Sequence, residues 1–256
     1  MTDVIRLSTR SATLAVHLLI GLLLAALVGV EGGRRLSRER LGRWWHRRLL
    51  RILHIDLKIR GKPLSGTRAL VCNHISWLDI HILGACEPTR FVSKAEVHDW
   101  PIAGWLANAA GTFYLKRGAS GTRELITEVS RQLARGSVTF FPEGTTTEGD
   151  RVLRFQPRLF AAPIEAGCPI QPIALRFGRA ANGENIAPFV GEMTLTANLR
   201  RLLHEPRLDA ELIYCPPISS HGYDRNTLAQ ATRASIATAL GLDPSEQQTT
   251  RRSLAA

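Results

Sequence analysis

Cysteine is scarce in this chain and never paired. Cys72, Cys86, Cys168 and Cys215 stand far apart with no C-x-x-C between them. That spacing argues against a disulfide framework and a zinc ribbon, and reduced thiols in a cytosol-facing domain are the plain reading. Acidic residues are also in deficit: 22 Asp and Glu against 33 Lys and Arg leave a formal charge of +11. Such a surplus asks for an anionic partner, either a membrane surface or a nucleic acid. No G-x-S-x-G elbow is present to carry a serine nucleophile. No internal repeat is visible, and one long apolar run stands alone near the N-terminus.

That run decides between the anionic partners. "TLAVHLLIGLLLAALVGV" (13–30) holds no formal charge, and His17 is its one interruption. At about 1.5 Å per residue it extends roughly 27 Å, enough for the hydrocarbon core of a bilayer. A secretory signal would be similar in length, but the arginine-dense "RRLSRERLGRWWHRRLLR" follows directly and resists translocation. The run is therefore expected to be an anchor with the catalytic domain on the cytoplasmic face, either crossing the bilayer or lying in one leaflet. In the flank, Leu41, Trp44, Trp45, Leu49, Ile52 and Leu53 recur at helical spacing, while Arg40, Arg43, Arg47 and Arg51 line another face. This predicts an amphipathic helix with its apolar stripe in an anionic membrane surface. The competing expectation is a stripe packed on the protein's own core. With the charge gathered beside the anchor, nucleic acid is not expected as a partner.

Further along, short apolar runs alternate with helical patterns. "IDLKIRG", "TRALVCN", "RFVSK", "TFYLKR", "SVTFF" and "PIQPIALRF" read as strands, and "SWLDIHILGA", "WPIAGWLANAAG" and "SGTRELITEVSRQLARG" as helices. "EMTLTAN" is a further possible strand, and "DRNTLAQATRASIATALG" a terminal helix. The expectation is an α/β fold: one domain with a mostly buried mixed sheet flanked by helices, preceded by an N-terminal helical pair. The divisions are 1–55 for anchor and basic helix, 56–241 for the domain, and 242–256 for a disordered tail.

Two stretches carry chemistry. In "VCNHISWLDI" (71–80) an apolar strand runs into His74, and Asp79 follows five residues later. Ser76 and Asp79 also fit the S-x-x-D form of a capping box, so the carboxylate could serve only a helix start. Alternatively, a loop histidine held in one tautomer by a carboxylate can take a proton from a hydroxyl. In "FFPEGTTTEGD" (140–150), Pro142 and Gly144 force an abrupt strand exit where Glu143, Gly144 and Thr145 present a carboxylate, an open backbone and a hydroxyl. Ligands of α/β sheets usually bind at such strand ends.

Together these residues carry a resemblance. "NHISWLD" resembles the NHxxxxD signature of the glycerolipid acyltransferases, the family of the 1-acylglycerol-3-phosphate acyltransferases, and "FPEGT" resembles that family's second hallmark. "FVSKAEV…WPIAGW", "GTFYLKRG" and "CPIQPIAL" are similar to its other blocks, in the expected order over residues 57–177. The resemblance implies a membrane-bound enzyme that moves a fatty acyl group from acyl-CoA or acyl-carrier protein to the free hydroxyl of a lysolipid, with no cofactor and no metal. His74 would be the general base and Asp79 its orienting carboxylate. Arg117 would hold the acceptor's anionic head, with Glu143, Gly144, Thr145 and Lys94 in the remaining substrate-binding positions. One departure concerns the acceptor: many phosphate-acceptor members carry an arginine where this chain has Thr146, and a threonine-rich form resembles members that acylate lyso-ornithine lipids. Lysophosphatidate is ranked first, with Arg151 or Arg154 replacing the lost cation, and lyso-ornithine lipid second. A membrane-bound thioesterase or lipase, and a non-catalytic membrane scaffold, are the rivals from other classes.

Overall fold

The structure is a computed structural model that describes residues 2–31, 38–115 and 119–244. Arg117 and the expected tail beyond residue 244 lie outside that range. Two helices, α1 (Thr2–Glu31) and α2 (Arg38–Ile52), precede β1 (Ile55–Arg60), β2 (Ala69–Cys72), α3 (Leu78–Cys86) and β3 (Thr89–Lys94). Then come α4 (Ala103–Ala109), β4 (Phe113–Leu115), α5 (Ala119–Leu133), β5 (Ser137–Phe140), α6 (Ala161–Ala166) and β6 (Ile170–Phe177). The chain ends with α7 (Leu195–His204), β7 (Leu208–Tyr214) and α8 (Arg225–Leu240).

The strands form one seven-stranded sheet in the order β1-β7-β6-β2-β5-β3-β4. β6, β2, β5, β3 and β4 run parallel, while β7 is antiparallel to β6 and parallel to β1. The fold is therefore the mixed α/β sheet expected. The central strands β2 and β5 are buried along their whole length, which explains why both read as unbroken apolar runs instead of alternating ones. Leu125, Val129 and Leu133 of α5 and Leu228 and Ile236 of α8 cover one face, and Leu50, Ile82 and Leu83 cover the other. Because β2, β5, β3 and β4 are parallel, their carboxyl ends share one edge, and the segments bearing His74, Glu143 and Lys94 all emerge there.

Two expectations change. The run "EMTLTAN" is no strand: Thr194 caps α7 by accepting a hydrogen bond from Ala197 N at 3.2 Å, and the helix begins at Leu195. A threonine ahead of an apolar-periodic segment was a start signal for a helix. The stripe of α2 also points inward along most of its length. Leu49, Leu50, Ile52 and Leu53 are buried in the core, so the arginines cover the outer side and Trp44 alone of the stripe is substantially exposed. Arg47 Nε donates to Ala85 O at 2.9 Å and Arg43 Nη2 to Cys86 O at 3.4 Å, closing carbonyls at the end of α3.

α1 is divided by face. Arg10, Leu14, His17, Gly21, Ala25 and Val28 are buried against the protein, whereas Val16, Leu19, Leu23, Leu27 and Val30 form an exposed apolar row. The buried positions recur every three or four residues, the spacing of one helix face. A side-chain carbon at Gly21 would lie 2.6 Å from Trp45 Nε1, so glycine permits the close approach of α1 to α2.

Candidate active site

β2 stops pairing at Cys72, and Asn73 takes over the ladder. Its amide donates to Leu175 O at 2.9 Å and accepts from Leu175 N at 2.8 Å, a two-way clamp on β6. The chain then turns out of the sheet and presents His74. Its backbone N–H donates to Glu143 Oε1 at 2.7 Å, and its ring stacks on Phe141 with centroids 4.3 Å apart. Phe141 sits at the exit of β5, so both strand ends supply the histidine's supports. His74 O accepts from Thr147 N at 2.9 Å, and Ile75 O accepts from Phe189 N at 3.0 Å.

Asp79 is wholly buried in the first turn of α3. Its Oδ2 lies 2.7 Å from His74 Nδ1 and also accepts from Ile75 N at 2.7 Å and Ser76 N at 2.9 Å. An ionised carboxylate can only accept, so Nδ1 carries the ring proton and Nε2 is left with its lone pair. The ring remains 20% exposed, and no described residue bonds Nε2. Half of a capping box is formed at the same time: Asp79 reaches back to Ser76 N, while the Ser76 hydroxyl has no partner among the described residues. The two readings of this corner coexist in one carboxylate.

Glu143 faces inward. Oε1 takes His74 N and Oε2 takes Leu153 N at 2.8 Å, so both oxygens hold backbone around the histidine. Burial pushes its pKa up to about 7, against the two N–H donors and Arg233, which favour the ionised form. Gly144 follows with φ +72°, a left-handed turn in which glycine is unstrained, and both Gly144 and Thr145 are exposed. Thr146 donates its hydroxyl to Phe189 O, so that hydroxyl is engaged in packing the loop. Lys94 is exposed at the end of β3. Arg151 and Arg154 are exposed as well, and Arg151 Nε lies 3.4 Å from its neighbour Asp150.

A further contributor lies outside both motifs. Arg233 of α8 is buried and donates from Nε to Val152 O and Leu153 O at 3.0 and 3.1 Å. It braces the segment whose Leu153 N–H holds Glu143. The signal was available, since Leu228, Ala229, Thr232, Ile236 and Ala237 mark the buried face of α8 and Arg233 sits among them. A guanidinium on an apolar helix face needs carbonyls to meet.

Among the described residues, no group of three or more His, Cys, Asp or Glu is arranged to hold a metal ion. The arrangement suits proton transfer at Nε2 by a histidine fixed in tautomer and orientation.

Comparison with known proteins identifies the family. The family model described as Acyltransferase matches residues 58–176. A lyso-ornithine lipid O-acyltransferase of Pseudomonas aeruginosa is 39% identical over 255 residues, covering 96% of this chain and 98% of its own length. A protein of the same name from Rhodobacter capsulatus is 34% identical, over 92% and 90%. A 1-acyl-sn-glycerol-3-phosphate acyltransferase of Neisseria meningitidis is 32% identical, over 82% and 84%. The crystal structure of the 1-acyl-sn-glycerophosphate acyltransferase PlsC from Thermotoga maritima superposes with a TM-score of 0.60 at 19% identity, over 91% of this chain and 96% of that one, and shares the fold. With that coverage and these strand-end motifs, the chain belongs to the acyltransferase family and is a lysolipid acyltransferase.

Proposed function

We propose that the protein acylates the hydroxyl of lyso-ornithine lipid at a membrane surface, using an acyl thioester of CoA or acyl-carrier protein. The observation that carries the chemistry is the 2.7 Å bond between His74 Nδ1 and Asp79 Oδ2, which leaves Nε2 as the base. Nε2 takes the hydroxyl proton as the acceptor oxygen attacks the thioester carbonyl. The C–S bond then breaks, and the departing thiolate recovers the proton from His74. Asp79 stabilises the transient imidazolium. Glu143 positions the histidine through its backbone, Gly144, Thr145 and Lys94 receive the substrates at the same strand edge, and Arg117 is the residue assigned to the acceptor's anionic head. The exposed apolar row of α1 keeps the enzyme where its lipid acceptor resides.

Two observations favour lyso-ornithine lipid over the lysophosphatidate ranked first from the sequence. Relatives of that name match this chain at 39% and 34% identity over nearly its full length. In addition, Thr146 stands where a phosphate-acceptor site would use a cation, and its hydroxyl is engaged with Phe189 O. Lysophosphatidate remains the second reading, favoured by the Neisseria relative. Purified protein assayed with both acceptors side by side should acylate lyso-ornithine lipid faster. His74→Ala should lose at least ~10²-fold in turnover on it with membrane association intact. Preference for lysophosphatidate would reverse the acceptor assignment. Wild-type rates in the His74 variant would remove the base, and free fatty acid without acylated acceptor would indicate a hydrolase.

A further inference from the structure

Between β3 and α4 the chain makes a 3₁₀ turn, Ala95–Asp99, followed by Trp100, Pro101 and Ile102. Ile102 has φ 63° and ψ −59°, and Ala103 N donates to Pro101 O at 2.6 Å. This is a γ-turn of the rare positive-φ kind, strained for any side chain and more so for a β-branched one. The turn is held from both sides. Gly104 N donates to Trp100 O at 2.9 Å, Leu106 N donates to Ile102 O at 3.0 Å, and a side chain at Gly104 would collide with His98 O. What the strained turn displays is apolar: Trp100, Ile102 and Trp105 are 44%, 48% and 50% exposed. A local distortion that holds a large apolar side chain in the open between two exposed indoles points to something that covers them.

The covering surface is indicated by the neighbouring helix. A side-chain carbon at Gly21 would lie 3.3 Å from Leu106 Cδ2, so α4 rests on α1 and Trp105 is adjacent to that contact. The exposed side of α4 therefore adjoins the helix that carries the outward row Val16, Leu19, Leu23, Leu27 and Val30. Trp44 of α2, under the guanidinium of Arg48 at 5.7 Å and with its ring 6.4 Å from that of His17 of α1, is a further exposed indole beside that helix. Indoles at the rim of an aliphatic surface are the pattern of a headgroup boundary, where the ring is buried and its N–H stays wet. The preceding turn carries charges of both signs, with Lys94 and Glu96 exposed and Asp99 paired to His98 Nδ1 at 2.9 Å, so the patch itself is set apart by its apolar side chains. β3 leads from the catalytic edge directly into this turn.

We propose that Trp100, Ile102 and Trp105 form a wedge that inserts into the headgroup–acyl boundary of a bilayer, a second attachment point separate from α1 that turns the catalytic edge toward the lipid. The proposal rests on the reading of α1 as membrane-associated, and the test separates the two. Full-length protein is floated with vesicles of phosphatidylethanolamine and phosphatidylglycerol, and with vesicles of phosphatidylcholine alone, at low and high salt. The Trp100→Ser/Trp105→Ser variant should partition at least ~10-fold more weakly onto both vesicles at both salt levels. Trp100→Phe/Trp105→Phe should recover most of the loss, and acylation of detergent-dispersed acceptor should be unchanged in all of them. Ile102→Gly should raise the melting temperature, because glycine accepts the positive φ, and yet weaken partitioning. Undiminished partitioning of the serine variant, beside loss in Leu19→Ser/Leu23→Ser, would overturn the wedge and leave the membrane reading standing. Wild-type protein that ignores both vesicles would remove both. A change in molecular mass of the serine variant without change in partitioning would assign the patch to a protein contact and overturn the proposal.

Discussion

Asp79 gathers three hydrogen bonds on one oxygen, from a ring nitrogen and two consecutive backbone amides. A carboxylate so used sets the path of residues 74–76 and the tautomer of the ring together, so the base cannot drift without the loop unwinding. Glu143 does comparable work from the other side of the histidine, and it titrates near neutrality. Burial keeps it protonated up to about pH 7, against an ordinary value of 4.5. Between those values the native chain binds a proton that the unfolded chain has released. Its contribution to stability is therefore full at low pH and is lost as pH rises to about 7, on the order of 3 kcal/mol in total. Melting temperatures measured from about pH 5 to about pH 8 should fall more steeply in the wild type than in Glu143→Gln, and parallel curves would contradict this assignment. His74, Asp79 and Glu143 could be named from sequence because each sits in a short contiguous motif that resembles a known family's. Their division of labour could not, because Leu153, Phe141 and Arg233 reach the site through folding alone.

At the level of elements, the helices were found more reliably than their faces. The stripe on α2 has the same spacing whether it meets lipid or core, and periodicity carries no information about which. Its burial on α3 and β1 follows from an edge that otherwise would expose Leu49, Leu50 and Leu53. The start of α7 was misjudged because "EMTLTAN" alternates like a strand over a few residues, while Thr194 supplied the cap. α1 turns out to be joined to α7 by a specific device. Arg10 is buried and donates to Leu203 O at 3.2 Å, Glu205 O at 2.5 Å and Pro206 O at 3.0 Å, satisfying carbonyls at and just beyond the end of α7. Arg10→Leu keeps the apolar stem and orphans those acceptors. It should lower the melting temperature by roughly 5–10 °C, since an orphaned buried acceptor costs about 1–3 kcal/mol and a chain of this size shifts about 2–4 °C per kcal/mol. A shift under about 1 °C would mean that water replaces the guanidinium at no cost.

Across the whole molecule, the apolar N-terminal helix is also packed into the folded body. Leu14 sits in the same core cluster as Leu53 and Leu203, and Arg10 spans 193 residues to Leu203. That separation has a consequence in time. At about 5–20 residues per second of synthesis, α1 leaves the ribosome roughly 10–40 s before α7 exists to receive it. Through that interval its contacts with α7 are unmade, although α2 and α4 can already meet its buried face, and its outward apolar row has no protein cover. With α1 at a membrane as proposed above, the domain would be built onto it there, and α7 would arrive late to fasten what came first. Cell-free synthesis should accordingly give vesicle-bound, active enzyme when vesicles are present during translation. It should give largely aggregated chain when the same vesicles are added afterwards, and equal recovery from the two orders of addition would show that α1 waits unaided.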